Sequence, residues 1–149
     1  MKRSKGVTFY AATFIFFGIL AVPYVFAVLS DFPSFVETTV REEATRSELT
    51  GEQIRQNMLS NQFYIKVAFF FQLIISVSQI IVGIFLFRLK QWAFRGFQTL
   101  AWISLAMTFF NFSPTHINTI FLIGYYGSAI GFSVQPKVKE QFGIKRREK

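Results

Sequence analysis

Residues 7–29 contain no charged side chain, and 13 of these 23 residues are Val, Ile, Leu or Phe. A helix needs about 20 mostly apolar residues to cross the roughly 30 Å hydrocarbon layer of a bilayer. No other feature restricts the chain as much, because backbone amides within lipid are satisfied only inside helices or closed barrels. Each Val, Ile, Leu or Phe near the centre favours insertion by about 0.3–0.6 kcal/mol, so the whole stretch favours the membrane by several kcal/mol.

Three more segments repeat the pattern. Residues 64–87 carry one charge, Lys66, in the first turn; residues 94–110 are flanked by Trp92 and hold Arg95 near their start; residues 117–134 end before Pro136. The expected fold is therefore all-α: an integral membrane four-helix bundle, a single membrane domain over residues 1–149. Lipid-facing helices also account for 21 Phe in 149 residues, more than the core of one small water-soluble domain would take up. Lys2, Arg3 and Lys5 precede the first run, and Val25-Phe26-Ala27 weakly resembles a cleavage site. The run exceeds the usual signal-peptide core of 7–15 residues, so the reading is an uncleaved anchor, kinked at Pro23.

Orientation follows from the basic residues. If both termini are cytoplasmic, the inner segments hold Lys2, Arg3, Lys5, Arg88, Lys90, Arg95, Lys137, Lys139, Lys145, Arg146, Arg147 and Lys149, against Glu140 and Glu148. The loop over residues 30–63 holds Arg41, Arg46 and Arg55 against Asp31, Glu37, Glu42, Glu43, Glu48 and Glu52. Positive charge belongs inside, so the net charge of +8 reflects topology rather than a basic surface for nucleic acid.

The outer loop should hold a short amphipathic helix. Ser34 with Glu37, and Thr50 with Gln53, have capping-box spacing, and Phe35, Val36, Val40 and Ala44 share one side. From Gly51 the pattern runs on into the second membrane helix, with Ile54, Met58 and Leu59 on one face. This loop reads as a cap over the outer end of the bundle or, alternatively, as a docking or gating surface. On the inner side, Trp92 among Arg88, Lys90 and Arg95 suits the headgroup layer, where each cation attracts anionic lipid by about 1 kcal/mol. The basic tail, residues 136–149, places Val138, Phe142 and Ile144 among its cations and reads as a short helix lying on the inner leaflet.

Ionisable groups at mid-membrane would mark a proton path or catalytic site; no Asp or Glu lies within any of the four segments, and Lys66 is close enough to an end to snorkel. His116 lies at the outer start of the fourth segment, without partners for a metal site or triad. Uncharged polarity remains. Gln72, Ser76 and Gln79 share one helix face, and Gln98, Ser104, Thr108 and Asn111 follow in the third segment, with Thr119 and Ser128 in the fourth. This stripe reads as interhelical glue or as a polar path or ligand pocket, using Gln72, Ser76, Gln79 and Asn111. In the fourth segment Gly124, Gly127, Ser128 and Gly131 have the small-xxx-small spacing that lets backbones approach closely. Gly83, and Gly18 with Ala21, are candidate counterparts, within the bundle or on a second copy.

Arg88, Lys90, Trp92-Ala93, Arg95 and the run Val138-Lys139-Glu140-Gln141-Phe142 resemble the uncharacterised small four-helix bacterial inner-membrane proteins; Phe94 departs from the Trp-Ala-Arg run of that pattern. The resemblance implies the bacterial inner membrane and no catalytic residue. The expected function is that of a non-enzymatic, multi-pass structural or accessory subunit, without cofactor or metal. Its partners are the bilayer, anionic lipid at the inner basic segments, and a second copy or another membrane protein. The alternative is a small transporter, channel or ligand-binding protein using the polar stripe.

Overall fold

The computed structural model describes residues 4–45, 48–110 and 117–144. The described elements are all helices: α1 (Lys5–Ser30), α2 (Phe32–Glu43), α3 (Gly51–Ser60), α4 (Gln62–Phe87), α5 (Gln91–Phe110), α6 (Ile117–Ser133) and α7 (Pro136–Gln141). Two of them, α1 and α4, are long and apolar enough to cross a membrane, and only 22% and 28% of their most apolar stretches are buried. A core helix of a water-soluble protein would bury most of that surface. By the same measure α5 falls short, because its first turns carry Gln91, Arg95 and Gln98, and α6 is shorter, at 17 residues. α1 runs unbroken through Pro23.

The chain divides into two compact units, one formed by residues 1–18 and 78–149 and the other by residues 19–77. In the first, the N-terminal part of α1 packs with the C-terminal part of α4 and with α5 and α6, and α7 packs against α6. Phe14 and Phe97, both fully buried, meet at 4.8 Å between ring centroids. α1 and α4 come into backbone contact at Gly83: a Cβ there would lie 2.9 Å from the Ala11 carbonyl oxygen and 2.7 Å from Ile15 Cγ1.

Both ends of the described chain meet in this unit. The Ser4 amide donates to Gln141 Oε1 at 2.9 Å, and Phe142 stacks on Phe94, at the start of α5, at 4.5 Å. Val138 and Phe142 are buried, so the apolar side of α7 is turned onto protein. This corrects the expectation that it lies on lipid, and the reason is the large apolar surface that Phe94 offers beside it. α4 ends in a Schellman turn, with Lys90 N–H bonded to Phe85 O at 3.2 Å and Leu89 N–H to Leu86 O at 3.0 Å. Its left-handed position is held by Leu89, at φ 51°, where glycine is usual.

The second unit departs from expectation in three places. The N-cap of α2 is Asp31, whose carboxylate accepts from Ser34 N–H at 3.2 Å; Ser34 lies inside the helix and does not cap it. Pro33 sits in the first turn, where its missing N–H costs nothing. The helix beginning at Gly51 does not run unbroken into the membrane segment: it turns at Asn61 (φ −101°, ψ 12°). There the side-chain Nδ2 donates to Asn57 O at 2.9 Å, an acceptor it shares with its own backbone N–H at 3.2 Å. Leu59 is half-exposed rather than on the packed face. The Thr50–Gln53 capping box is present in both directions. Val28, Phe32 and Val36 form a small core, flanked by Phe35, Val40, Met58, Ile65 and Phe69. Arg55 on α3 pairs with Glu37 on α2 at 2.7 Å and with Glu52 at 3.5 Å, and the hydrogen bond it donates to Glu37 holds the guanidinium pKa above its ordinary value. Lys66 lies over the Phe32 ring at 5.1 Å.

Candidate functional site

In the first unit, α6 turns one side toward its neighbours. Tyr125, Tyr126, Ala129 and Ser133 are buried there. Gln79 on α4, 3% exposed, donates Nε2 to Tyr126 OH and to Ser104 Oγ on α5, both at 3.3 Å. Gln98 on α5 donates to Ser133 Oγ at 3.2 Å. Thr13 Oγ1 on α1 lies 3.0 Å from Phe9 O and shares a 2.6 Å hydrogen bond with the Tyr125 hydroxyl. Tyr10 OH donates to Ser128 Oγ at 3.1 Å, and Ser128 donates in turn to Tyr125 O at 2.8 Å. These bonds tie α6 to α1, α4 and α5 with uncharged groups whose partners come from the protein.

The opposite side of α6 is bare. Gly124, Gly127 and Gly131 are exposed, and a Cβ at any of the three would meet nothing within 4 Å. Within this unit the close backbone approach therefore falls to Gly83, against α1, and not to the glycine spacing of α6. Ser128 differs from the three glycines in that its hydroxyl joins the seam with Tyr10.

The polar stripe of α4 is not used uniformly. Gln79 bridges two helices as described. In the second unit Ser76, fully buried, donates to Gln72 O of its own helix at 2.8 Å, which satisfies it without a partner helix, and Gln72 is half-buried. Asn111 and His116 lie outside the described residues. Among the described residues no group of three or more His, Cys, Asp or Glu side chains could hold a metal ion.

The hydrogen-bonding tyrosines Tyr10, Tyr125 and Tyr126 escape a search for polar stripes because they count as apolar aromatic residues. The signal that would have found them is the phenolic hydroxyl, which requires a partner wherever the ring is buried.

No family model, curated protein or solved structure matches this chain. The side chains themselves carry the functional reading.

A second feature lies in the other unit, a groove of about 490 Å³ between the last turns of α1 and one face of α2. Asp31 stands at its corner. Hydrogen bonds from Ser34, first through its side chain and then through its backbone N–H, hold the Asp31 carboxyl below the ordinary carboxylate range, so it is anionic at neutral pH.

Proposed function

We propose that this chain is a non-enzymatic multi-pass protein of a bacterial inner membrane, acting as a small structural or accessory subunit through helix packing. In this reading α1, α4, α5 and α6 are the four spans, and both termini are cytoplasmic. The observation that carries it is the bare face of α6, where Gly124, Gly127 and Gly131 lie open on a helix whose other face is fully engaged. In lipid, where no hydrophobic force pulls helices together, small residues favour association by letting backbones pack closely.

Large apolar side chains on all four helices support the membrane reading: Phe9 and Phe16 on α1, Ile81 and Ile84 on α4, Trp102 and Phe109 on α5, and Ile120 and Phe121 on α6 are each more than 40% exposed. The bond between Ser4 and Gln141 and the stack of Phe94 on Phe142 support an arrangement with both termini on one side. That side carries Trp92, packed on Phe85 at 4.8 Å, and Arg88 over the same ring at 5.5 Å, suited to anionic headgroups. The hydrogen bonds of Gln79 and Gln98 favour packing over a permeation path, since each amide is already engaged between helices.

The native chain has no cysteine, so one introduced thiol reports alone. Gly127→Cys should form an oxidative crosslink in native membranes, to a second copy or to a co-purifying protein, and Ala129→Cys on the buried face should not. Absence of any crosslink or partner at Gly127→Cys refutes the packing role. Glu48→Cys should react with an impermeant maleimide from outside intact cells and Ser4→Cys only after lysis; the reverse pattern refutes the orientation.

A further inference from the structure

The groove of the second unit has a chemical bias that narrows what it can hold. Its walls are the last turns of α1, with Tyr24 and Val28, and the face of α2 that runs from Asp31 through Thr38 and Thr39 to Glu42. A hydroxyl carries one proton and two lone pairs. Thr38 Oγ1 donates its proton to Ser34 O and Thr39 Oγ1 donates to Phe35 O, both at 2.9 Å. Both protons are spent within the helix, and each oxygen keeps lone pairs to offer. Asp31 and Glu42 add carboxylates, which only accept when ionised. Among the described residues no Lys, Arg or His lines the groove, and Arg55 on the neighbouring helix is engaged by Glu37 at 2.7 Å.

The groove thus presents acceptors and negative charge beside an aromatic and aliphatic wall. Tyr24, 57% exposed, offers a ring face to a cation, an attraction that strengthens as the cation is desolvated. The volume, about 490 Å³, lies in the range of small-molecule sites, roughly 300–1,000 Å³. An anion would meet repulsion here, and a neutral hydrocarbon would leave the carboxylates without a counter-charge.

We propose that this groove binds the ammonium head of an amphiphile, with the N–H donors on the acceptor face of α2 and the apolar body along Tyr24 and Val28. The proposal rests on the reading of α1 as a membrane span, which puts its last turns at headgroup depth. Two sources supply this chemistry, an amine-headed phospholipid of the bilayer and a soluble amphiphilic amine.

The test uses the full chain and the double variant Asp31→Asn with Glu42→Gln. Asn caps a helix about as well as Asp, so the charge is removed and the cap kept; an unchanged far-UV spectrum checks this. In the lipid arm, native mass spectrometry compares retention of phosphatidylethanolamine and phosphatidylglycerol with matched acyl chains. In the soluble arm, 4-phenylbutylamine and its neutral analogue 4-phenylbutanol are titrated into phosphatidylglycerol nanodiscs, with empty discs subtracted. A preference of at least tenfold for the amine in either arm, reduced at least fivefold by the double variant, supports the proposal. The lipid arm alone assigns a bilayer source, and the soluble arm alone assigns a free amine. Equal binding of amine and non-amine probes in both arms, or a preference the double variant leaves intact, overturns it. Resistance to alkaline carbonate is scored in parallel. A chain released from membranes overturns the span reading, whereas a resistant chain without amine preference overturns the groove alone.

Discussion

Replacing Gly83 by Ala adds one methyl group at the point where α1 and α4 touch. The new Cβ would lie 2.9 Å from the Ala11 carbonyl oxygen and 2.7 Å from Ile15 Cγ1, whereas non-bonded carbon contacts are most favourable near 3.5–4.0 Å. Ile15 can shift its side chain, but the Ala11 oxygen is backbone and cannot rotate away. The helices must therefore separate by roughly 0.5 Å, a gap that forfeits about a quarter of the dispersion energy of the atoms facing it. Overpacking of this kind typically costs about 1–3 kcal/mol. Against it stands the helix propensity of Ala over Gly, about 1 kcal/mol, which would mask much of the effect if Gly83→Ala were measured alone. Gly127→Ala isolates the steric part, because its Cβ meets nothing within 4 Å while its gain in propensity is the same. With both variants unfolded by SDS titration in dilute micelles and followed by circular dichroism, Gly83→Ala should be less stable than Gly127→Ala by about 1–3 kcal/mol. Equal stabilities within about 0.5 kcal/mol, the usual margin for independent sites, would refute close packing of α1 on α4 at Gly83.

Gln79→Leu should destabilise the chain by about 1 kcal/mol in the same titration, since bonds between membrane helices average about 0.6 kcal/mol and Gln79 makes two; a gain in stability would contradict its bridging role. Leu89→Gly should raise stability by about 1 kcal/mol by relieving the left-handed position at φ 51°, which costs an L-residue roughly 1–2 kcal/mol; an unchanged or lowered midpoint would count against strain there. The Asp31 cap should depend on pH in a defined direction. Its folded-state pKa lies below the unfolded value of 3.8, so the ionised cap contributes fully above pH 3.8 and is lost as pH falls through the lower folded value. Hydrogen-exchange protection of the Ser34 amide should fall in that acidic range in the native chain but not in Asp31→Asn, and identical profiles would refute the assignment.

Much of the helical content was legible because it is a local property. Residues 7–29 and 64–87 announce α1 and α4 through unbroken apolar runs, and Thr50 with Gln53 marks the start of α3 through two short-range bonds. The cap of α2 falls to Asp31 and not to Ser34; Ser34 and Glu37 satisfy the capping spacing equally well, and the choice between two caps three residues apart depends on where α1 releases the chain. The break at Asn61 was hidden inside a continuous apolar period, since a change of backbone angles at one residue leaves no trace in hydrophobicity. At the candidate site, the Gln79 bridge was anticipated in kind, but its partner Tyr126 was not, because a tyrosine ring reads as apolar until its hydroxyl must be placed.

By itself the sequence determined the local pattern of this chain: long apolar runs, basic residues gathered between and beyond them, and no Asp or Glu within the runs. Those properties add residue by residue along the chain, so they can be read without knowing which helix meets which. Only the tertiary structure decided that Gly83, rather than Gly127, is the point of backbone contact, that Val138 and Phe142 turn onto Phe94, and that Thr38 and Thr39 spend their protons and leave a groove of acceptors. Each of these depends on how a helix is rotated against its neighbours, and a period of 3.6 residues names a face without naming what that face will touch.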